Sequence, residues 1–330
     1  MWQSRIIGTG SYLPARAVSN GDLSPWIRLD SDAIVRRTGI RFRHWVTDEQ
    51  ASSHLAEQAA RRACEAGGCA PSSVDAILVS TTSPDMPLPS TACLLQRALE
   101  AKGCAAFDLA ASCSGFLYGL SMADRLIRSG QFHRCLVVAT EVKSKFLDLQ
   151  DEATAILFGD GAGAALMVGD QVEGRARCGV MGVRLYADGM RHGLIEMPAG
   201  GSRQPASLQT VRDRRHTIRI QGGPLFRVAV KRLTEAVLEI LKEFGVGIHD
   251  LAQAIFHQAN GRLLTALGNR LGLPPGKLYS VVERLGNTSS ASLPIALDEA
   301  VRSGRVSPGD LVLLGTFGGG LTWATALLRW

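Results

Sequence analysis

AASCSGFLYGLSMADRLIRSGQFHRCLVVAT, residues 110–140, and RLGNTSSASLPIALDEAVRSGRVSPGDLVLLGT, residues 284–316, follow one plan. Each has a polar turn, an amphipathic helical stretch, an Arg-Ser-Gly stop and an apolar run of strand length. Glycine just after a helical stretch reads as a terminator, because it adopts the left-handed conformation without steric cost. The chain is therefore read as a duplication, two copies of one α/β unit meeting near residues 170–180. Cys113 lies fifteen residues before Arg128, and Asn287 lies fifteen before Arg302. By this count the two side chains occupy the starts of equivalent helices.

Outward from these stretches the pattern continues. Phe158-Gly-Asp-Gly-Ala-Gly-Ala-Ala-Leu166 and Phe317-Gly-Gly-Gly-Leu-Thr-Trp-Ala-Thr-Ala-Leu327 each read as a glycine turn leading into an apolar strand. In the first half a strand over 74–80, a helix over 90–102 and a strand over 105–109 alternate, which is the α/β signature. The longest uncharged stretch, Leu311 to Leu328, approaches membrane-span length, but Gly318, Gly319 and Gly320 break its middle, so two strands joined by a turn are predicted. Residues 184–222, rich in Gly, Arg and Pro, read as an irregular excursion that covers the entrance to a site.

A length of 330 residues, with 46% hydrophobic and 20% charged residues, describes an ordered globular chain. The formal net charge of +6 suits an acidic protein or a phosphorylated cofactor; a local cluster is formed by Arg212, Arg214, Arg215 and Arg219. Nucleic acid is not the expected partner, because no basic helix interleaves aromatic residues and no zinc spacing occurs. Seven cysteines form no Cys-x-x-Cys pair, which fits a reducing compartment. The start of the chain enters a strand, Arg5-Ile-Ile-Gly8, with no basic-then-apolar leader. A cytoplasmic protein with no membrane span and no metal site is the expectation.

Three residues carry the chemistry. Cys113 follows a strand and opens a helix, where the positive end of the helix favours thiolate and the unpaired N–H groups can hold an oxyanion. Read by itself, it is equally a buried structural cysteine. His257 ends the apolar run Ile255-Phe256 and precedes Gln258 and Asn260, at the end of a strand where polar side chains reach ligands; a lone histidine is more often a core or surface residue. Asn287 is by default a helix cap, and its alignment with Cys113 makes it a candidate. A thiolate that takes an acyl group, with two neutral donors for an enolate, amounts to acyl-thioester chemistry.

In this order these residues resemble the β-ketoacyl-acyl carrier protein synthase III family of the thiolase superfamily. The likeness covers almost the whole chain, through Gly8-Thr-Gly-Ser-Tyr-Leu-Pro14, Arg37-Thr-Gly-Ile40, Ala111-Ser-Cys-Ser-Gly-Phe116, Phe158-Gly-Asp-Gly-Ala-Gly-Ala164, His257-Gln-Ala-Asn260, Gly286-Asn-Thr-Ser289 and Phe317-Gly-Gly-Gly320. It implies a thiolase-like five-layered αβαβα fold, with an N-terminal half over 1–172 carrying the cysteine and a C-terminal half over 173–330 carrying the His and Asn, assembled as a homodimer. It implies that Cys113 is acylated by a primer thioester, acyl-CoA or acyl-ACP, and then undergoes decarboxylative Claisen condensation with malonyl-ACP, giving a β-ketoacyl-ACP in lipid or fatty-acid synthesis.

By the same likeness His257 and Asn287 polarise the malonyl carbonyl, and the N–H groups of Cys113 and Gly319 form the oxyanion hole. Arg37, Arg227, Arg262 and Arg270 serve the phosphopantetheine or the carrier protein, and Leu88 limits the acyl pocket across the dimer. No permanently bound cofactor is implied. The chain departs from the family where acyl-CoA-primed members carry an adenine-stacking tryptophan and arginine: the matching positions are Ala33 and Glu152. Alanine cannot stack and a carboxylate repels a phosphate, so a specialised member is expected, either primed by a carrier protein or binding CoA weakly in another pose. Acyl transfer to an alcohol or amine of a specialised metabolite is the second reading, and a non-catalytic partner subunit the third. A second catalytic cysteine, which a thiolase needs, does not follow Cys178.

Overall fold

The computed structural model describes residues 2–171 and 178–330. The first half runs β1 (Trp2–Tyr12), β2 (Arg16–Ser19), α1 (Ser31–Thr38), β3 (Phe42–Trp45), α2 (Ser52–Ala66), β4 (Ala76–Ser80), α3 (Thr91–Ala98), β5 (Ala105–Leu109), α4 (Gly115–Arg128), β6 (Arg134–Glu141) and β7 (Gly161–Gln171). The second runs β8 (Gly179–Ala187), β9 (Ile195–Glu196), α5 (Leu208–Arg212), β10 (Arg219–Ile220), α6 (Gly222–Phe244), β11 (Gln253–Phe256), α7 (Gly261–Leu271), β12 (Leu278–Tyr279), α8 (Val282–Leu285), α9 (Ser292–Arg302), β13 (Leu311–Gly318) and β14 (Thr322–Arg329).

Two five-stranded sheets carry the duplication. One has the order β1-β7-β6-β4-β5 and the other β8-β14-β13-β11-β12. In each, the long antiparallel pairs occupy one side and the parallel pairs the other. The boundary expected between residues 172 and 173 lies outside the described residues.

Side-chain alternation along the strands builds the layers. In β4, Ala76 and Leu78 face one core while Ile77 and Val79 face another; in β13, Val312 and Leu314 point one way and Leu313 the other. The inward sets of both sheets close on α4 and α9, forming a single central core. The outward sets are covered by α2 and α3 on the first sheet and by α6 and α7 on the second. The result is the five-layered αβαβα sandwich of a thiolase-like fold. No helix among the described residues is long and apolar enough to cross a membrane.

Local boundaries differ from the sequence reading: the strand expected over 74–80 begins at Ala76, and two further shifts have a visible cause. The helix expected over 90–102 ends at Ala98, because Glu100 turns to φ +56° and Ala101 bonds back to the Gln96 carbonyl. The excursion expected from residue 184 begins after Ala187, since β8 stays paired with β14 to that point. The Leu311–Leu328 stretch is two antiparallel strands, β13 and β14, in register from Leu311 opposite Arg329 to Gly318 opposite Thr322.

Candidate active site

Cys113 sits in a tight 3-10 turn, Ser112–Ser114, between the end of β5 and the start of α4. Ser112 takes φ +48° there, and Cys113 is only 5% exposed. The end of β13 lies directly against it: a Cβ on Gly318 would meet Cys113 N at 2.6 Å, so only glycine permits the approach. The next N–H, on Gly319, donates to Ser112 Oγ at 3.2 Å.

His257 is the first residue after β11, and its backbone N–H donates to the Gly315 carbonyl of β13 at 2.8 Å. Its Nδ1 is 2.5 Å from Ser292 Oγ, which also accepts the Gln258 N–H at 3.1 Å. With Ser292 donating its one hydroxyl proton to Nδ1, the neutral ring carries its own proton on Nε2. The Gln258 side chain is turned away from the site: its Oε1 accepts from Val281 N and Val282 N, and its Nε2 donates to the Phe256 carbonyl. Asn260 caps α7 by accepting the Leu263 N–H.

Asn287 is held by its backbone between Leu157 O and Gly159 N, so the Phe158-Gly-Asp-Gly run acts as its bracket. Its Oδ1 accepts the Ser289 N–H at 2.9 Å. Among the described residues no protein acceptor takes the Nδ2 hydrogens, which leaves the amide as a donor. The cap position of the following 3-10 turn belongs to Thr288, not to Asn287.

The alignment of Cys113 with Asn287 needs correction. Both halves place a serine at positive φ, Ser112 and Ser289, in the first position of a 3-10 turn that feeds α4 or α9. Counted from that shared geometry, Cys113 corresponds to Ser290. Counting from Arg-Ser-Gly failed because α4 has 14 residues and α9 has 11.

Cys113 is bordered by two cavities. One, of about 130 Å³, is shared with His257, Asn287, Leu225, Phe226 and Phe317. The other, of about 140 Å³, is lined by Thr82, Lys143, Phe146, Met197, Ile218 and Ser289 among others. Ile195, from the excursion after β8, borders both, so that segment does cover the site. A larger cavity, about 670 Å³, lies elsewhere between Arg5, Arg62, Arg302 and Trp330 and holds none of these groups. The chemistry assigns the site here; size does not.

Electrostatics separate Cys113 from the other buried thiols. Burial pushes Cys64 up to about 11 and Cys135 up to about 12. Burial also opposes ionisation of Cys113, yet His257, by its hydrogen bond and by the positive charge it carries when its ring takes up the thiol proton, together with the Ser289 hydroxyl, outweighs it and holds the thiol below its ordinary value, with Glu141 opposing.

The sequence reading missed several partners. Ser289 Oγ is 3.5 Å from Cys113 Sγ and 3.1 Å from Glu141 Oε1, so its one hydroxyl proton serves either the thiolate or the carboxylate at a time. Glu141, fully buried at the end of β6, also accepts from Ser83 and Ser290 and pairs with Lys143 at 2.9 Å. Burial raises its carboxyl, but Lys143 and the serine hydroxyls hold it below its ordinary value. The run Gly286 to Ser292 carried a usable signal in its three serines, each a short donor in a segment read only for its asparagine.

The remaining sequence candidates lie away from the two cavities. Arg37, Arg227, Arg262 and Arg270 are exposed and line neither one. Arg227 and Arg262 flank lining residues on α6 and α7, and Arg37 lies 3.9 Å from Glu152. Glu152 also accepts the Arg28 N–H, and Ala33 sits in the first turn of α1. Leu88 is 84% exposed and touches neither cavity within the chain.

Comparison with known proteins identifies relatives over nearly the whole chain. Residues 107–189 match the profile of 3-oxoacyl-(acyl-carrier-protein) synthase III, and residues 241–330 match that of its C-terminal region. The chain is 45% identical over 325 residues to a beta-ketoacyl-(acyl-carrier-protein) synthase III of Desulfitobacterium hafniense strain Y51, covering 98% of this chain and 97% of that one. It superposes with a TM-score of 0.90 on the 3-oxoacyl-(acyl-carrier-protein) synthase III of Aquifex aeolicus VF5, at 38% identity over 99% and 100% of the two chains. The priming beta-ketosynthase of the R1128 polyketide pathway also superposes at 0.90, with 36% identity over 99% and 96%.

Proposed function

Because the chain belongs to the 3-oxoacyl-(acyl-carrier-protein) synthase III family, we propose that its reaction runs through Cys113, His257 and Asn287. It is an acyl-transferring, decarboxylating condensing enzyme of the β-ketoacyl-ACP synthase III type. The observation that carries the assignment of residues is the depressed thiol of Cys113 between two cavities, beside His257 and sharing one cavity with Asn287, whose Nδ2 has no protein acceptor among the described residues.

In the first step the Cys113 thiolate attacks the carbonyl carbon of a primer thioester. The developing oxyanion takes the N–H groups of Cys113 and Gly319, the latter exchanging its bond to Ser112 Oγ for the substrate oxygen. Collapse expels the carrier as its thiolate, which takes a proton from solvent, and leaves acyl-Cys113. In the second step a malonyl thioester binds with its carbonyl oxygen between His257 Nε2 and Asn287 Nδ2. Loss of CO2 leaves the electron pair as an enolate whose oxygen these donors stabilise. The enolate carbon attacks the acyl-Cys113 carbonyl, and expulsion of the thiolate regenerates the enzyme. No strong base is required, because CO2 departure supplies the carbanion.

The primer is carried by acyl carrier protein, and the malonyl group likewise. This reading is supported by Ala33 and Glu152, where stacking and a planar cation would hold an adenine nucleotide, and by the engagement of Glu152 with Arg37. The exposed Arg227 and Arg262 beside the cavity lining, together with Arg270, suit an acidic carrier and its phosphopantetheine. Two copies of the chain, with Leu88 of each closing the acyl pocket of the other, complete the proposal.

Intact-mass measurement tests it. An adduct should form on the wild-type chain and disappear in Cys113→Ala, with carrier-bound primer at least about tenfold more effective than the same acyl-CoA, the worth of one or two lost contacts. Saturable acylation by short acyl-CoA at the same efficiency would remove the carrier preference, and an adduct persisting in Cys113→Ala would remove the nucleophile.

A further inference from the structure

The second cavity at Cys113 has a wall that an alkyl chain does not call for. Phe146, Phe158, Ile195, Met197 and Ile218 form an apolar lining, but Lys143 and Thr82 interrupt it. Lys143 is 6% exposed. Of its three ammonium hydrogens, one goes to Glu141 Oε2 at 2.9 Å and one to Thr82 Oγ1 at 2.5 Å. Among the described residues the third has no protein acceptor.

A buried Lys–Glu pair is a costly way to build such a wall, since well-packed apolar residues usually serve stability as well or better. An ammonium donor left without an acceptor at a cavity surface is therefore best explained by what enters the cavity. Charge limits the choice. Lys143 is already balanced by Glu141, and Glu196, an exposed residue, also borders the cavity. A carboxylate brought into this space would give up its water shell and meet no net positive charge. A neutral oxygen meets no such penalty and satisfies the donor.

We propose that the cavity beside Cys113 takes a short acyl group bearing a neutral hydrogen-bond-accepting oxygen, a hydroxyl or keto group, which Lys143 holds. This rests on acylation of Cys113 as proposed above. The volume of about 140 Å³ accommodates roughly five non-hydrogen atoms, taking the volume of a water as about 30 Å³. Lys143 is a specificity-determining residue in this account, and Thr82 positions it.

The experiment compares acyl-pantetheine donors matched in length: butanoyl, β-hydroxybutanoyl, γ-hydroxybutanoyl and the carboxylate succinyl. The rate of Cys113 acylation is read by intact mass. The better hydroxylated donor should react about ten- to a hundredfold faster than butanoyl, the worth of one hydrogen bond to a charged group, with succinyl slower than either. In Lys143→Met the ratio of hydroxylated to plain donor should fall to about one. The double variant Glu141→Gln/Lys143→Met, which leaves no unpaired carboxylate, should show the same collapse. Ratios within one variant cancel any general loss of activity.

A wild-type ratio of one, an unchanged ratio in both variants, or succinyl as the best donor would overturn the proposal. Release of labelled CO2 from malonyl-ACP is followed separately. Donor discrimination without CO2 release overturns the condensation alone, whereas absence of any adduct overturns both readings.

Discussion

The starts of α4 and α9 use the same backbone device for opposite purposes. Each has a serine at positive φ, a 3-10 turn and then a helix running into the central core. The first carries Cys113, beside His257 and two cavities. At the matching place the second carries Ser290, whose hydroxyl donates to the Glu141 carboxylate at 2.9 Å. A helix start supplies positive potential in both halves, so that potential alone does not make a reactive group. What differs is the neighbour: an imidazole on one side, a buried carboxylate on the other. The second start has become support for the first, supplying Ser289 to the thiol, Ser292 to His257 and Asn287 to the cavity that both line.

Three substitutions break or sharpen this contrast. The largest effect is expected for Asn287→Ala, which should lower condensation by about 100- to 1000-fold, the usual cost of one oxyanion donor, while the Cys113 adduct still forms. CO2 release and intact mass measured on the same sample distinguish the two steps. If acylation falls as far as condensation, the division of labour between the two helix starts is wrong.

His257→Ala should act next, through the thiol. In the wild-type chain the rate of iodoacetamide labelling at Cys113 should rise with pH through a midpoint below 9.0, because the depressed thiol is already ionised at lower pH. Without His257, burial and Glu141 both favour the neutral form against Ser289 alone, so the midpoint moves upward. Each unit of that shift removes about tenfold from the thiolate fraction near neutrality. A midpoint that stays in place would assign the effect to the helix instead.

The smallest effect is the most direct comparison. Ser290→Cys in a Cys113→Ala background puts a thiol at the equivalent start, next to Glu141 and without a histidine. It should label no faster than Cys135, whose thiol burial pushes up to about 12. Rapid labelling there would mean that the helix start suffices.

Much of the molecule was legible before folding. Glycine stops, apolar runs and the repeated Arg-Ser-Gly revealed two α/β units, because periodicity and breakers are local properties of a chain. The strand-end position of His257 and the hairpin at Gly318 to Gly320 followed from the same signals. The count that paired Cys113 with Asn287 went astray by a helix length, since spacing along a chain does not record that α9 is shorter than α4. Lys143 and Glu141 gave no signal at all, because nothing local in the sequence marks a charged side chain as buried.

The sequence by itself determined the duplication, the strand and helix order, and the three residue types that acyl-thioester chemistry needs. Tertiary structure alone decided which groups act on them. Ser289 reaches Cys113 across 176 residues and Glu141 across 148, and Lys143 enters a cavity wall also built from the excursion between β8 and α6. Local patterning tells a side chain whether to be buried. Its partner is set by how two sheets close over a shared helical layer, and hydrogen bonds between groups so distant in sequence exist only once that layer has formed.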